Sequence, residues 1–207
     1  MDNPVKEISG VIKALAQGSP EQQEATLNRY FLPNASFTHP FCHVPSFPRG
    51  SISLAPDINS RWAILGIYRW YRTLSPQVDI TIDSAAFDQN SRLLYVTIRQ
   101  TFKVWFIPFY KAPVRLVSVL QLAQRTPFVR GDVEAKQKYY ISSQEDLYQS
   151  TECLRFVMPG LGPYLWHLWQ LCSTIICVIG SLLFLPVYIF LNQPDASKAW
   201  VEGSSAI

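Results

Sequence analysis

The chain has 207 residues, of which 48% are hydrophobic and 14% aromatic, and its formal net charge is +3. The high apolar content excludes a largely disordered chain. The small net charge, without a run of lysine and arginine or a glycine-rich phosphate loop, excludes a nucleic acid as the expected partner.

Three helices are predicted near the N-terminus. The first begins after Asn3, which has the position of an N-cap before a proline. The second begins after Ser19, which has the spacing of a capping box with Gln22, and Pro33 ends it. The third is rich in aromatic residues and covers 60–74. The chain therefore starts with a layer of helices.

A strand is predicted at residues 35–41, and from Val78 onward the hydrophobic pattern changes to period two. Apolar and polar residues alternate along four further predicted strands: 78–83, 94–104, 114–124 and 136–141. A last amphipathic helix is predicted over 144–157, with Ser142 or Ser143 as its cap. Helices ahead of an antiparallel sheet indicate an α+β fold, in which a curved, cone-shaped sheet is wrapped by the N-terminal helices.

Residues 164–191 form an uncharged stretch of 28 consecutive positions without Asp, Glu, Lys or Arg. A helix rises ~1.5 Å per residue and the hydrocarbon core is ~30 Å thick, so this stretch is long enough to cross a bilayer. A buried core helix is the alternative. Trp166 and Trp169 have the positions of interfacial aromatic residues. We predict three parts: a globular domain over 1–160, a transmembrane helix over 161–191 and a short polar tail over 192–207.

The N-terminal segment lacks the uninterrupted apolar core of a signal peptide, because it is charged at Lys6, Glu7 and Lys13. A single span near the C-terminus without such a signal implies insertion after synthesis. The globular domain would then face the cytosol, with the endoplasmic reticulum as the expected membrane. The lipid bilayer is the first predicted partner.

Several segments resemble the nuclear transport factor 2-like superfamily, which includes SnoaL-like polyketide cyclases and ketosteroid isomerases. The resemblance lies in LNRYFLPNASFTHPF, in SRWAILGIYRWYRTL and in the long strands over 78–141. ASFTHPFCHV and YYISSQEDLY are similar to a fungal SigF-like branch, which commonly adds a C-terminal membrane helix. The resemblance implies a cone fold with an apolar cavity. Relatives include enzymes, transport factors and binders without chemistry, so the fold alone names no reaction.

His39 is the candidate catalytic residue. On a strand it points the same way as Phe37, so it faces the cavity if Phe37 faces the core. A neutral imidazole there can act as a general acid or base. A histidine that is hydrogen-bonded in the core is the alternative. Cys42 and His43 lie close by, but no fourth ligand stands at metal-binding spacing, so we predict no metal and no cofactor.

Polar residues on apolar strand faces are candidate contacts for a ligand. Gln100 is in phase with Ile98 and Phe102, and Ser118 is in phase with its own apolar neighbours. Three tyrosines add hydroxyl donors. The predicted ligand-binding residues are thus Gln100, Ser118, Tyr71, Tyr139 and Tyr140. An internal network with water is the alternative.

The strand pattern predicts no carboxylate in the cavity. Asp79 and Asp83 alternate with Val78, Ile80 and Ile82 and would point away from the core. Isomerases and cyclases of the resembled superfamily need an Asp or another base in the pocket, so this departure weakens the transfer of their mechanism.

The segment WFIPFYK, residues 105–111, joins two predicted strands as a hairpin tip. Such tips are normally polar, whereas aromatic side chains beside a lysine suit a membrane interface. Trp105, Phe106 and Phe109 are therefore predicted to contact the membrane. A tip that is folded over the cavity or buried by the helices is the alternative.

The sequence thus favours a membrane-anchored domain that binds a hydrophobic small molecule in its cavity. By the resemblance, its reaction would be an isomerisation or cyclisation in fungal secondary metabolism, with His39 as proton shuttle. A lipid carrier or sensor without chemistry is the alternative, and a scaffold is a third. The resemblance also implies a homodimer that forms through the sheet.

Overall fold

The structure is a computed structural model that describes residues 1–107, 109–126 and 137–191. It divides into two compact units, Met1–Pro163 and Tyr164–Ile207. The first unit contains all the strands of the described chain and the first residues of five described helices. The candidate site is therefore sought in this unit.

The three predicted helices are present, two before the first strand and one after it, and each has a capping side chain. Their bounds are α1 Pro4–Gln17, α2 Pro20–Tyr30 and α3 Ser60–Leu74. The Asn3 side chain accepts the Lys6 N–H at the start of α1. Ser19 and Gln22 form the predicted capping box of α2. Each cap satisfies backbone N–H groups that have no partner within the helix.

In the described part of the chain, six strands form one sheet in the order β2-β1-β6-β5-β4-β3. Their bounds are β1 Phe31–His39, β2 Cys42–Val44, β3 Asp79–Asp88, β4 Leu93–Phe102, β5 Ala112–Arg125 and β6 Lys138–Tyr148. All neighbours are antiparallel except β1 and β6, which run parallel. The sheet is therefore mixed, with antiparallel pairing at its other neighbours as expected. No hairpin turn links β1 to β6, because α3 and four strands intervene in the chain.

The largest correction concerns residues 142–148, which were predicted as a helix cap and helix but belong to β6. The pairing of β6 with β5 continues from Lys138, opposite Arg125, to Tyr148, opposite Leu116. The helix that follows, α4, covers only Ser150–Val157. Pairing with a long neighbouring strand outweighs the local helix signals here. Residue 136, the predicted start of this strand, lies outside the described residues.

Smaller differences occur at β1 and β2. β1 begins at Phe31 instead of residue 35 and therefore contains Pro33. The register between β1 and β6 shifts between Phe31 and Ser36, which is where a strand tolerates a proline. The loop after β1 contains a short strand, β2, that the sequence pattern did not predict.

The core lies between one face of the sheet and the helices. Its fully buried side chains come from α1, α2, α3 and alternate positions of the strands: Ile8, Leu15, Leu27, Phe37, Ile64, Leu94, Val96, Leu120 and Ile141. The polar positions between them face outward, so Asp79 and Asp83 point away from the core as expected. Asp83 instead pairs with Arg99 at 2.7 Å.

Two helices end the described chain, α5 Leu161–Leu183 and α6 Leu185–Leu191. α5 is long and apolar enough to cross a membrane by length and composition, and its most apolar stretch is not buried. The predicted single helix is divided at Phe184, two residues before Pro186. Proline has no N–H group to continue the helical hydrogen-bond pattern.

Two glycines of the α1 region give a matched test of the fold. Gly10 is exposed in the helix, and a Cβ there would meet no atom within 4 Å. A Cβ on Gly18 would overlap the carbonyl oxygen of Ala14, which accepts the Gly18 N–H at the helix end.

We predict that Gly10→Ala raises the free energy of unfolding by about 0.5–1 kcal/mol because alanine is the better helix former. Gly18→Ala should lower it by about 1–3 kcal/mol because the helix end must shift. Urea titration of the full chain in a nonionic detergent, followed by tryptophan fluorescence, measures both. Equal effects of the two substitutions would contradict this description of the helix end.

Candidate functional site

A cavity lies between α1, α3 and the inner face of the sheet. The volume open to the centres of water molecules is about 90 Å³. This is several times the ~10–15 Å³ that one water molecule needs. Most of its wall is apolar, with a group of polar side chains on β1, β4, β6 and α3. The lining residues are Ile12, Ala16, Phe37, His39, Tyr68, Tyr71, Arg72, Val78, Ile80, Ile98, Gln100, Phe102, Leu116, Gln144, Asp146, Tyr148 and Phe156.

His39 lines this cavity because β1 turns alternate side chains inward, and Phe37 shares its face. Its Nε2 lies 3.2 Å from the Tyr148 hydroxyl and its Nδ1 lies 3.2 Å from the Tyr71 hydroxyl. Burial lowers the pKa of His39 to about 4. The imidazole is therefore neutral at pH 7, and it joins two tyrosines from different elements.

The hydrogen bonds around Tyr148 indicate which proton remains available. The Phe41 N–H donates to His39 Nδ1 at 3.4 Å, and this contact assigns the proton of the neutral ring to Nε2, from which it is donated to Tyr148. Gln100 Nε2 also donates to the Tyr148 oxygen, at 3.0 Å. With two bonds accepted, the Tyr148 O–H is left to donate. Burial raises the pKa of Tyr148, so it keeps that proton at neutral pH.

Asp146 is the site residue that the sequence reasoning missed. Gln144, Asp146 and Tyr148 alternate on β6 and all line the cavity. The Gln144 amide donates to both carboxylate oxygens, at 3.0 and 3.3 Å, and accepts the Tyr68 hydroxyl at 3.0 Å. The strand register makes Ser118 the direct cross-strand neighbour of Asp146.

Burial dominates the electrostatics of Asp146. It raises the pKa of the carboxyl group to about 6, and the nearby Gln144 amide and Ser118 hydroxyl only partly offset this. Asp146 keeps some accessible surface toward the cavity, while protein atoms surround the rest of the carboxyl group. Within the described ranges it forms no ion pair. A carboxylate with a pKa near the working pH is suited to exchange a proton.

The other predicted ligand contacts divide into two groups. Tyr71 and Gln100 line the cavity, so the structure brings them together with His39. Ser118 is fully buried but is not part of the cavity wall, and its hydroxyl has no hydrogen bond of normal geometry to a described residue. Tyr139 and Tyr140 lie outside the wall, and Tyr139 packs against Phe87 instead. Both tyrosines lie near the start of β6, away from the polar group.

The residues considered for a metal site do not converge. The His43 ring contacts Thr38, and Cys42 contacts the Tyr71 hydroxyl at 3.6 Å. No group of three or more His, Cys, Asp or Glu side chains suited to a metal ion occurs in the described part of the chain.

The predicted membrane contacts are mostly exposed. Trp105, Phe106 and Phe109 of the loop between β4 and β5 are 70%, 55% and 104% exposed. Trp169 in α5 is 65% exposed, and Trp166 is half-buried. The alternative of a loop buried by the helices therefore does not describe these side chains.

Two buried groups titrate in the same pH range with opposite effects on stability. The folded pKa of Asp146, about 6, lies above its ordinary value of 3.8, so the folded chain keeps a proton that the unfolded chain has lost. Stability from this group falls as the pH rises from about 4 to about 6. The folded pKa of His39, about 4, lies below 6.5. Stability from this group rises as the pH rises from about 4 to about 6.5.

We predict that Asp146→Asn stabilises the chain increasingly as the pH rises from 4 to 7, by about 2 kcal/mol after allowance for solvent access. Denaturant titrations at several pH values, with wild type as reference, measure this difference. Asp79→Asn, on the exposed face, is the control and should show no such slope. A pH-independent difference for Asp146→Asn would show that this carboxyl group is not shifted by burial.

Comparison with solved structures finds several proteins of similar fold at low identity. A SnoaL-like polyketide cyclase, so described, from Jannaschia sp. has 9% identity and a TM-score of 0.47, covering 77% of this chain and 97% of its own. An isomerase described as SnoaL-like, from Agrobacterium tumefaciens, has 9% identity and a TM-score of 0.45, covering 70% and 96%. A protein with a ketosteroid isomerase-like fold from Catenulispora acidiphila, in complex with trimethylamine, has 14% identity and a TM-score of 0.44, covering 71% and 88%.

The family assignment depends on a match of the sequence itself and not on these structures. Among curated proteins, none matches the chain. Residues 1–187, which include the whole candidate site, match the family described as the SigF NTF2-like domain. The resemblance predicted from the sequence is thereby confirmed, and the chain belongs to the SigF NTF2-like domain family.

Proposed function

We propose that this protein is a membrane-anchored binding domain for a hydrophobic small molecule and that it isomerises or cyclises this molecule by proton transfer. One observation carries the proposal. The apolar cavity holds a buried carboxylate, Asp146, next to a tyrosine hydroxyl that is free to donate.

The composition of the wall supports the ligand class. Apolar side chains from α1, α4 and four strands form most of the cavity, and the polar atoms gather on α3, β1, β4 and β6. Such a site favours a largely apolar molecule with one carbonyl or hydroxyl group. The polar group of the ligand would replace water at the polar end.

Asp146 and Tyr148 are suited to the two halves of a proton transfer. They are two positions apart on β6, so both side chains leave the same face of the strand. The Asp146 carboxylate would take a proton from the carbon beside a carbonyl group and return it to another carbon. The Tyr148 O–H would donate to the carbonyl oxygen while negative charge develops on it. The reaction moves one proton within the ligand and needs no co-reactant.

His39 keeps a supporting role in this proposal. A neutral imidazole with a pKa of about 4 is a weak base, so Asp146 is the better base at neutral pH. His39 and Gln100 would hold the Tyr148 hydroxyl toward the ligand through their bonds to its oxygen. Ser118 would act on the ligand only through its neighbour Asp146.

Membrane attachment is the second half of the proposal. The length, composition and exposure of α5 support a single span. We further propose that the globular domain faces the cytosol at the endoplasmic reticulum. A ligand that partitions into lipid would be concentrated near a tethered cavity. The proposed role of the protein in fungal secondary metabolism is an inference from the resemblance.

A binder without chemistry is the second candidate, and the closed polar networks favour it. Several polar atoms of the wall bond to one another, as in the series Tyr68, Gln144 and Asp146, so these atoms need no ligand. A lipid carrier or sensor would use the same cavity. Homodimerisation through the sheet also stays a proposal, supported by the exposed apolar side chains Tyr95 and Leu147 on its outer face.

The enzymatic proposal predicts that the chain converts a β,γ-unsaturated cyclic ketone to its α,β-unsaturated isomer, which absorbs at longer ultraviolet wavelengths. Asp146→Asn should reduce the rate by about 10²–10⁴-fold, because the base is lost while the amide keeps the shape of the side chain. Asp79→Asn is again the control and should leave the rate unchanged.

Native mass spectrometry of the detergent-extracted wild type and of Asp146→Asn separates binding from chemistry. Retained binding with lost turnover supports the role of Asp146 as a base. If the wild type turns over none of a panel of such ketones and carries an unmodified lipophilic molecule, the protein is a binder without catalytic activity.

The anchor predicts that the full chain stays in the membrane pellet after alkaline carbonate extraction. Replacing Ile175 and Ile179 by arginine should release it, because a charge in the hydrocarbon core costs roughly 3 kcal/mol or more. Asn34, in the sequence Asn-Ala-Ser, should carry no glycan if the domain faces the cytosol. Release of the wild-type chain into the supernatant would disprove the anchor.

A further inference from the structure

We propose that the loop between β4 and β5 docks on a bilayer that contains anionic lipids, as a contact separate from α5. The loop comprises the described residues 103–107 and 109–111. The inference rests on the membrane attachment proposed above, and it adds a second contact and a lipid preference.

The loop exposes apolar surface to an extent that folding does not explain. Four of its side chains are exposed by 44% to 104%: Trp105, Phe106, Ile107 and Phe109. Phe109 is entirely exposed and has a φ of 62°, a left-handed conformation that is uncommon for a bulky residue. Such conformations persist where the surroundings impose them, often at functional positions. A contiguous aromatic patch of this kind marks an interaction surface.

Hydrogen bonds hold the loop in an outward conformation. The Lys103 N–H donates to the Ser75 hydroxyl at 3.0 Å, and the Trp105 N–H donates to the Leu74 carbonyl at 3.4 Å. On the other side, the Tyr110 hydroxyl donates to the Phe156 carbonyl at the end of α4. Because both ends are tied to the domain, the aromatic side chains are presented at little cost in conformational entropy.

Cationic side chains stand beside the aromatic ones, and this pattern points to lipid with negative headgroups. Lys103 and Lys111 are exposed and flank the pair Phe102 and Ala112, where β4 meets β5. Indole and phenyl rings suit the boundary between headgroups and acyl chains, while lysine reaches the phosphate level. Each lysine near an anionic surface strengthens binding to it by roughly fivefold.

A second pair of cations lies farther along the same two strands. Arg99 and Arg115 are exposed and are direct cross-strand neighbours, and three residues separate each of them from the loop. Like charges in this position repel each other. Arg99 is partly neutralised by Asp83, whereas Arg115 has no ion pair within the described chain. An anionic surface about 10 Å behind the aromatic tip would relieve the repulsion.

Chain continuity argues for lipid over a protein partner. The loop is bonded to Phe156, and α5 begins at Leu161, five residues later. If α5 crosses a bilayer, the segment bonded to the loop is covalently held near its surface. A bilayer would then lie close to the loop, because few residues separate Phe156 from the start of α5.

The test compares hydrogen–deuterium exchange of the loop amides in the full chain with bilayers of different charge. The bilayers are phosphatidylcholine alone and phosphatidylcholine with about 30% phosphatidylserine. We expect exchange over residues 103–111 to slow about tenfold or more in the anionic bilayer. Lys103→Glu combined with Lys111→Glu should remove this difference.

The matched control is Lys6→Glu combined with Arg125→Glu, which makes the same change in net charge. Both residues are exposed, and Arg125 lies at the opposite end of β5 from the loop. This variant should behave as the wild type. Equal loop exchange in both bilayers overturns the inference, even if the chain resists carbonate; a protein partner would then be the better explanation of the patch. Carbonate release with persistent protection in the anionic bilayer would instead overturn only the span.

Discussion

The inward face of β6 is the constraint on which the cavity depends. It turns Gln144, Asp146 and Tyr148 toward the helices, where most other strands contribute apolar side chains. Burying an amide, a carboxyl and a phenol is costly unless each finds a hydrogen-bond partner. Tyr68 of α3 bonds to Gln144, and His39 of β1 and Gln100 of β4 bond to Tyr148. Asp146 is bonded by Gln144 of β6 itself. The side chains at the polar end of the cavity therefore offset the cost of burying the polar inward face of β6.

Asp146 is not explained by this requirement alone. A buried carboxylate without a cation lowers stability at neutral pH, and an uncharged side chain of similar shape would avoid that cost. The networks around it satisfy hydrogen bonds but leave its charge unbalanced within the described chain. Costly titratable groups of this kind concentrate at functional sites. Because His39 stays neutral, Asp146 supplies the negative charge of this polar group at neutral pH.

The sequence predicted well those elements whose signals are local. Asn3 and Ser19 mark helix starts because a cap is made by residues three positions apart. His39 was assigned to the cavity side because Phe37 precedes it by one strand period. Gln100 was found in the same way, as a polar residue on an apolar face of β4.

What the sequence could not show depends on distant pairing. Residues 142–148 lack an apolar alternation because their inward positions are the polar ones, and two serines imitate a helix cap. Only pairing with β5 makes these residues a strand. Because the sequence pattern did not predict this part of β6, Asp146 was not recognised as a cavity residue. The parallel neighbour β1 was missed for the same reason, since no turn sequence links it to β6. A usable signal was the spacing of Gln144, Asp146 and Tyr148 at period two.

The exposed loop and α5 would restrict the domain in different ways. A single helix through a bilayer fixes the distance of the domain from the surface but leaves it free to tilt. A second contact through Trp105 and Phe109, tied to the domain by hydrogen bonds, would remove part of that freedom. Because the loop starts directly after Phe102, which lines the cavity, a contact there would act on the wall of the binding site itself. The proposed lipid contact and the proposed ligand site thus share one strand, β4, which carries Gln100 inward and ends at the loop.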